Sequence, residues 1–230
     1  MTPKQLELQN ILTFAKSVIN SYDDKKIKRP DYLPIKHPIF EVINILARKV
    51  QADYMVSLIS SEDESPKESL FNLFLPNRTI VTPDGKTFGD FKKILNVKST
   101  ANLSVDPVLP WPWKRERLIG TITNIGKGRL NGPWKEDKMN YRLHLILPIG
   151  IFEVTGGNHS ISIGLLQSTG TIATKTVEDI SEVYNYVFFN GQHYIRKFDK
   201  AIISEKEENF ELGAIFEIGR LMKEHSISYL

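Results

Sequence analysis

The sequence predicts an α+β fold in which a helical N-terminal region packs on a small mixed β-sheet. Apolar residues recur at helical spacing over most of the first 100 residues, whereas short β-branched and aromatic runs follow, separated by prolines and glycines. A strand-like run then meets a helix-like run within Thr155 to Gly164. We expect residues 1–100 to form the helical region and residues 101–230 an α/β domain, or both to form one integrated domain.

The composition is that of an ordinary globular protein. Of its 230 residues, 41% are hydrophobic and 25% are charged, and 30 basic residues against 27 acidic ones leave a formal net charge of +3. This balance permits a phosphate-bearing partner without requiring one. The absence of cysteine excludes disulfides, thiolate nucleophiles and cysteine-based metal sites. Because neither a signal peptide nor an apolar run of about 18 residues is present, we expect a cytoplasmic protein with no membrane partner.

Four helices and one extended connection are predicted for the N-terminal region. Thr2 and Pro3 suit a helix cap and first turn, and Ser65 and Glu68 suit a capping box. In chain order the predicted elements are a helix over about 3–22, an extended connection over 23–38, a kinked helix over 38–60, a short helix from Ser65 through Leu75, and a helix over 88–95.

Short strands alternate with two helices in the predicted second half. Pro148 and Gly150 are typical of a bend between two strands, and Asn190-Gly191 is typical of a hairpin turn. In chain order the predicted elements are strands over 141–147 and 151–154, a helix over 160–167, a strand over 171–174, a hairpin of 183–189 with 192–197, and a helix over 209–224.

The residues Gly156 to Ser160, here called the glycine box, predict an anion site. Gly156 and Gly157 allow a ligand to approach the backbone closely, and the N-terminus of the following helix favours negative charge. Ser160 would cap that helix and bind a phosphate oxygen, Asn158 would orient the phosphate, and His159 would act as acid, base or donor. The alternative is a capped strand-to-helix junction that binds nothing.

The segment from Pro148 to Ala173 resembles the ParB/sulfiredoxin-like superfamily, in which a strand, a Gly-x-His-Arg type box, a helix, a glycine and another strand follow each other. Gly157, Asn158 and His159 match the box, while Ser160 stands at the usual arginine position. The resemblance implies a nucleotide- or phosphate-binding protein whose ligand is a nucleoside triphosphate with Mg²⁺. It leaves open whether the protein is an NTPase, a nuclease or neither.

Serine cannot replace the bidentate phosphate clamp of an arginine, so the sequence favours binding over turnover. We expect Lys127, Arg129 and Arg142 to supply the missing cation.

A second candidate surface combines tryptophans with cations, and its members are Trp111, Trp113, Lys114, Arg115 and Arg117. Indoles stack on bases and cations neutralise phosphates, so this segment predicts a nucleic-acid-binding protein of a mobile-element or phage-defence system, without turnover. The alternative is that the tryptophans anchor a proline-rich crossover while the cations are solvated. A third class is a structural or interaction protein whose glycine box is only a helix cap.

The remaining polar residues predict no metal site. Glu153 is not followed by the lysine that a restriction-type nuclease strand requires, and His144 is expected to be a half-buried sheet residue. A second triplet, Gly191-Gln192-His193, resembles the box but lies in the predicted hairpin, so we interpret it as a structural turn.

Overall fold

The chain folds into five α-helices and nine β-strands in the residues that the computed structural model describes, namely 1–28, 36–61, 73–204 and 209–230. Two 3-10 turns accompany them, at Gly89–Phe91 and Ser181–Asn185. In chain order the helices and strands are α1 (Pro3–Lys28), α2 (Ile39–Ser60), β1 (Lys93–Leu95), β2 (Thr100–Asn102), β3 (Val108–Leu109), α3 (Arg115–Asn124), β4 (Arg142–Leu147), β5 (Ile151–Gly156), α4 (Asn158–Leu166), β6 (Thr171–Ala173), β7 (Thr176–Asp179), β8 (Val187–Phe189), β9 (Tyr194–Arg196) and α5 (Phe210–Glu224).

The first two helices are confirmed, with different ends. Thr2 and Gln5 form a reciprocal capping box, in which each side-chain oxygen accepts the backbone N–H of the other residue. The predicted extended connection is wrong at its start, because α1 continues to Lys28, two residues before the first proline that could stop it. Helix α2 is a single unbroken helix. None of the helices in these described parts of the chain is long and apolar enough to cross a membrane.

The other predicted helices of the N-terminal region are not confirmed. The capping box at Ser65 lies outside the described residues, and Leu73 to Leu75 form a bend rather than the end of a helix. The predicted helix over 88–95 is wrong, because a short 3-10 turn leads directly into β1, which pairs antiparallel with β7. This partner lies more than 80 positions along the chain, so local periodicity does not reveal it.

A five-stranded mixed sheet forms the centre of the fold, with the strand order β1-β7-β4-β5-β3. Strands β4 and β5 are antiparallel, whereas β7 pairs parallel with β4, and β3 pairs parallel with β5. Two small ribbons, β2-β6 and β8-β9, complete the strands of the described chain. The mixed α+β class is therefore confirmed, as are the predicted strands around the bend at residues 148–150 and the hairpin at Asn190-Gly191.

Alternate residues of the central strands enter two different hydrophobic cores. Ile146 and Ile151 pack in the core that contains α1, α2 and α5, whereas Leu145 and Phe152 pack with α4 on the other face. Strands β1 and β2, which begin before or at residue 100, pair with strands of the second half. The division into domains at residue 100 stays a prediction.

A polar cluster interrupts the face of the sheet that packs on α1, α2 and α5. Glu153 on β5 lies opposite His144 on β4, and Glu178 on β7 forms an ion pair with Lys92 at 3.3 Å. His144 is half-buried, as predicted. Burial raises the pKa of the Glu153 carboxyl to about 7, although the Lys92 ammonium opposes the shift. The folded protein therefore favours the protonated form of this side chain.

We expect the free energy of unfolding to fall as the pH rises from 5 to 8, through the contribution of Glu153. Its pKa in the fold lies above its ordinary value of 4.5, so its stabilising contribution is complete below 4.5 and is lost as the pH rises through about 7. In urea titrations, Glu153→Gln should exceed the wild type by about 3 kcal/mol at pH 8 and match it near pH 4.

The difference in unfolding free energy between these two proteins gives the contribution of the Glu153 carboxyl alone. It removes the contributions of His144 and His159, whose lowered pKa values make stability rise with pH. Glu7→Gln, at an exposed site on α1, is the matched control and should change the free energy of unfolding by less than about 1 kcal/mol. A Glu153→Gln profile parallel to that of the wild type would contradict the assignment.

Candidate functional site

The glycine box lies at the junction of β5 and α4, where the chain turns sharply. Gly157 adopts the left-handed conformation, with φ at 83°. A Cβ atom there would lie 2.4 Å from Cδ1 of Tyr141, and a Cβ atom on Gly156 would lie 2.8 Å from the carbonyl oxygen of Asn140. Glycine is therefore required at both positions for space, and at Gly157 for conformation as well.

Helix α4 begins two residues earlier than predicted. Its N-cap is Gly157, whose carbonyl accepts the Ile161 N–H at 2.9 Å, so Ser160 lies in the first turn and the prediction that it caps the helix is wrong. The left-handed glycine turns the chain directly from strand to helix, which leaves no place for a separate capping residue. The backbone N–H groups of Asn158, His159 and Ser160 have no intrahelical acceptor, because they belong to the first turn of the helix.

Two side chains of the box bind the backbone of a neighbouring segment. Asn158 Oδ1 accepts the Trp111 N–H at 2.7 Å, and His159 Nε2 accepts the Lys114 N–H at 3.2 Å. These bonds hold the segment between β3 and α3 against the start of α4. Both side chains therefore have a structural role, which the sequence did not indicate.

His159 is held in its neutral form. The residue is only 8% exposed, and burial together with the nearby Arg117 guanidinium lowers the pKa of the imidazole. Because Nε2 accepts a hydrogen bond, the remaining ring proton is on Nδ1. The neutral ring thus offers an N–H donor rather than a positive charge or a free base at Nε2.

An open cleft of about 460 Å³ lies between α3 and the N-terminus of α4. Arg117, in the first half of α3, is its cationic residue. Amide and hydroxyl groups supply most of the other polar surface. The lining residues are Trp113, Arg117, Gly120, Thr121, Asn124, Ile125, Asn131, Gly157, Asn158, His159 and Ser160.

The three cations predicted to replace the missing arginine do not line this cleft. Arg129 donates to the Ile122 and Ile125 carbonyls at 2.6 and 2.7 Å and so caps the C-terminus of α3. Lys127 is exposed in the loop after α3. Arg142 is exposed on β4, where it pairs with Gly156 in the sheet register.

The tryptophan and basic segment is divided between core and surface. Trp111 is buried against Tyr54, with ring centroids 5.0 Å apart, and Arg115 donates to the Ser61 carbonyl at 2.5 Å. Trp113 remains 40% exposed with its ring edge-on to His159, and the Lys114 side chain is exposed. Trp111 and Arg115 therefore serve packing, whereas Trp113 and Arg117 face the cleft.

Helix α3 contributes cleft residues that the sequence reasoning missed. One face of the helix carries a stripe of residues at helical spacing, namely Arg117, Gly120, Thr121 and Asn124. This stripe is visible in the sequence once the helix is assumed. The apolar pattern does not indicate this helix, because Leu118 is its single buried residue.

The second glycine triplet forms the predicted hairpin turn. Asn190 Oδ1 accepts the N–H groups of Gln192 and His193, at 3.0 and 2.9 Å, between β8 and β9. This geometry is that of an Asx turn. The triplet therefore has a structural explanation.

Comparison with known proteins assigns the chain to a family. A model described as a family of unknown function, DUF6710, matches residues 2–229, so the chain belongs to that family. No curated protein and no solved structure matches it.

We expect Gly157→Ala to destabilise the protein more than Gly85→Ala. Both glycines have φ near 85°, but a Cβ atom on Gly85 would meet nothing within 4 Å. Gly85→Ala should therefore cost only the left-handed conformation, about 1–2 kcal/mol. Gly157→Ala should cost about 1–3 kcal/mol more, because Tyr141 must move.

Urea unfolding of the two variants and the wild type measures this difference. Equal losses of unfolding free energy would contradict the close approach of Tyr141 to the glycine box.

Proposed function

We propose that this member of the DUF6710 family binds a phosphate-bearing ligand, either a nucleotide or phosphate itself, in the cleft between α3 and α4. One observation carries the proposal: Arg117 and the first residues of α4, whose N–H groups have no intrahelical acceptor, line the same cleft. Among the described residues the Arg117 guanidinium has no hydrogen-bond or ion-pair partner. A helix N-terminus and a guanidinium are both groups that bind phosphate well.

The electrostatic surroundings support an anion. No aspartate or glutamate is among the described residues that line the cleft. The C-terminal carbonyls of α3 would oppose an anion, but Arg129 and Gln167 donate to the Ile125 carbonyl, and Arg129 also donates to the Ile122 carbonyl. The negative end of α3 is thereby partly neutralised beside the cleft.

The resemblance to the ParB/sulfiredoxin-like superfamily supports the same ligand class. In the fold, β5, the glycine box, α4, Gly170 and β6 follow in the order that the resemblance requires. Arg117 reaches the cleft from a different helix, and we propose that it supplies the cation that Ser160 lacks.

The geometry favours binding over turnover. Asn158 Oδ1 and His159 Nε2 both accept backbone N–H groups, so neither atom is free to take a proton from a nucleophile. The Nδ1–H group of His159 remains as a donor to an anionic oxygen. Because no carboxylate from the described residues lines the cleft, Mg²⁺ would be carried by the phosphates of the ligand.

Isothermal titration calorimetry with ATP, CTP, GTP and pyrophosphate, each with Mg²⁺, tests the proposal. We expect at least one ligand to bind, and Arg117→Ala to raise its Kd at least about tenfold, since a hydrogen bond to a charged group contributes about 1.5–3 kcal/mol. Lys127→Ala removes the same charge outside the cleft and should change Kd less than about threefold.

Heat from none of these ligands in a folded protein would contradict the proposal. Equal effects of the two substitutions would instead indicate a general charge effect and would also contradict the site. A cleft that binds nothing is the outcome expected if the glycine box is only a helix cap.

Nucleic acid is a second candidate, favoured by the exposed face of Trp113 beside the Lys114 and Arg117 side chains. Bases would stack on the indole, while the cations neutralise backbone phosphates. We expect a fluorescent single-stranded oligonucleotide to bind at about 50 mM salt and its affinity to fall steeply as salt increases. Trp113→Ala should weaken binding of the oligonucleotide but leave pyrophosphate binding within about threefold.

A folded protein that shows no binding at low salt would contradict this second function. Oligonucleotide binding that is insensitive to Trp113→Ala would contradict the stacking role of the indole.

A further inference from the structure

A second cavity, of about 300 Å³, lies between α2 and α4, away from the cleft of the proposed anion site. The edge strand β3 and the loop before it complete the wall of this cavity. Aliphatic side chains form most of the lining, among them Ala47, Met55, Leu103, Val108 and Leu165. We call this cavity the α2–α4 groove. Its size suits a small organic molecule.

Gln51 lines the groove and has an unsatisfied amide. The residue is 6% exposed, and neither Nε2 nor Oε1 has a hydrogen-bond partner among the described residues. A buried amide without partners is costly, so most such groups in folded proteins are paired with protein or water. The donor and the acceptor of Gln51 are both left without this compensation.

The two charged side chains of the groove are already engaged. Asp106 accepts from Lys36, Tyr229 and the Asn102 N–H. Arg48 donates to Asn44 and to the Ser104 carbonyl.

The hydroxyl of Ser162 donates to the Asn158 carbonyl at 2.8 Å, although its oxygen can still accept. Among the described residues that line the groove, Gln51 is therefore the one whose buried polar atoms lack partners, and its amide carries no charge.

We propose that the α2–α4 groove binds a small molecule with an apolar body and an uncharged amide edge, such as a lactam, a carboxamide or a nucleobase. Such an edge presents a donor next to an acceptor, which matches the Nε2 donor and the Oε1 acceptor of Gln51. The amide atoms are shielded from solvent in this structure. Binding would require rotation about the side-chain torsions of Gln51 to bring them to the ligand, while the aliphatic walls bury the apolar body.

This inference does not rest on the anion site. The two cavities use opposite parts of α4, Gly157 to Ser160 at its N-terminus and Ser162 to Ser168 toward its C-terminus. Each can therefore be tested and fail separately.

The test uses the full chain with glutamine side chains labelled with ¹⁵N, titrated with 2-pyridone, nicotinamide and adenine. We expect the Gln51 side-chain resonances to shift with at least one of these probes, with a Kd in about the millimolar range. Gln51→Met keeps the side-chain volume but removes the amide. It should raise that Kd at least about tenfold, as measured from a backbone resonance of α2. Toluene, which lacks the amide edge, should bind both proteins within about twofold of each other.

Gln9→Met, at an exposed glutamine of α1, is the matched control and should change no Kd. Ala52→Phe, at an exposed position of the groove, keeps the Gln51 amide but obstructs the cavity, and should also raise Kd at least about tenfold. This variant tests the groove even if Gln51→Met does not fold.

Thermal unfolding without ligand gives an independent measurement. Gln51→Met should melt no lower than the wild type, because it removes an unpaired polar group. A lower melting temperature would show that water or protein already satisfies the amide and would overturn the proposal. Unshifted Gln51 resonances with all three probes, or an unchanged Kd in both groove variants, would also overturn it.

Discussion

The burial of β4 and β5 on both faces is the constraint on which the rest of the structure depends. Leu145 and Phe152 enter one core while Ile146 and Ile151 enter the other, so a shift of one residue in register would exchange every buried side chain between the cores. The end of β5 is thereby held in one position. Since Gly157 follows immediately, the start of α4 is held there too.

The junction of β5 and α4 determines the geometry of the candidate anion site. Asn158 and His159 use one polar atom each to hold the segment from Trp111 to Lys114, which leads into α3. That connection brings Arg117 beside the N-terminus of α4. The same bonds that assemble the cleft also occupy the atoms that a catalytic base would need, which is why the geometry supports binding more strongly than turnover.

The predictable parts of the fold were those with strong local signals. Strands β4 and β5 are mostly apolar, α5 has a long helical period with Asn209 as its cap, and Asn190-Gly191 marks a hairpin. Strands β1, β2, β3 and β7 have two to four residues each, too few for a pattern. Helix α3 was missed because it has 10 residues, of which Leu118 alone is buried.

The sequence by itself determined that a strand, two glycines and a helix follow each other, because glycine conformation and apolar periodicity act over a few residues. Tertiary structure decided which cation joins that junction. Arg129 donates to the carbonyls at the end of α3, and Arg142 lies on β4 outside the cleft. Arg117, in contrast, lines the cleft because α3 places it there. Such choices depend on contacts between distant segments. They also left the Gln51 amide unpaired inside an apolar groove, a property that no local pattern in α2 records.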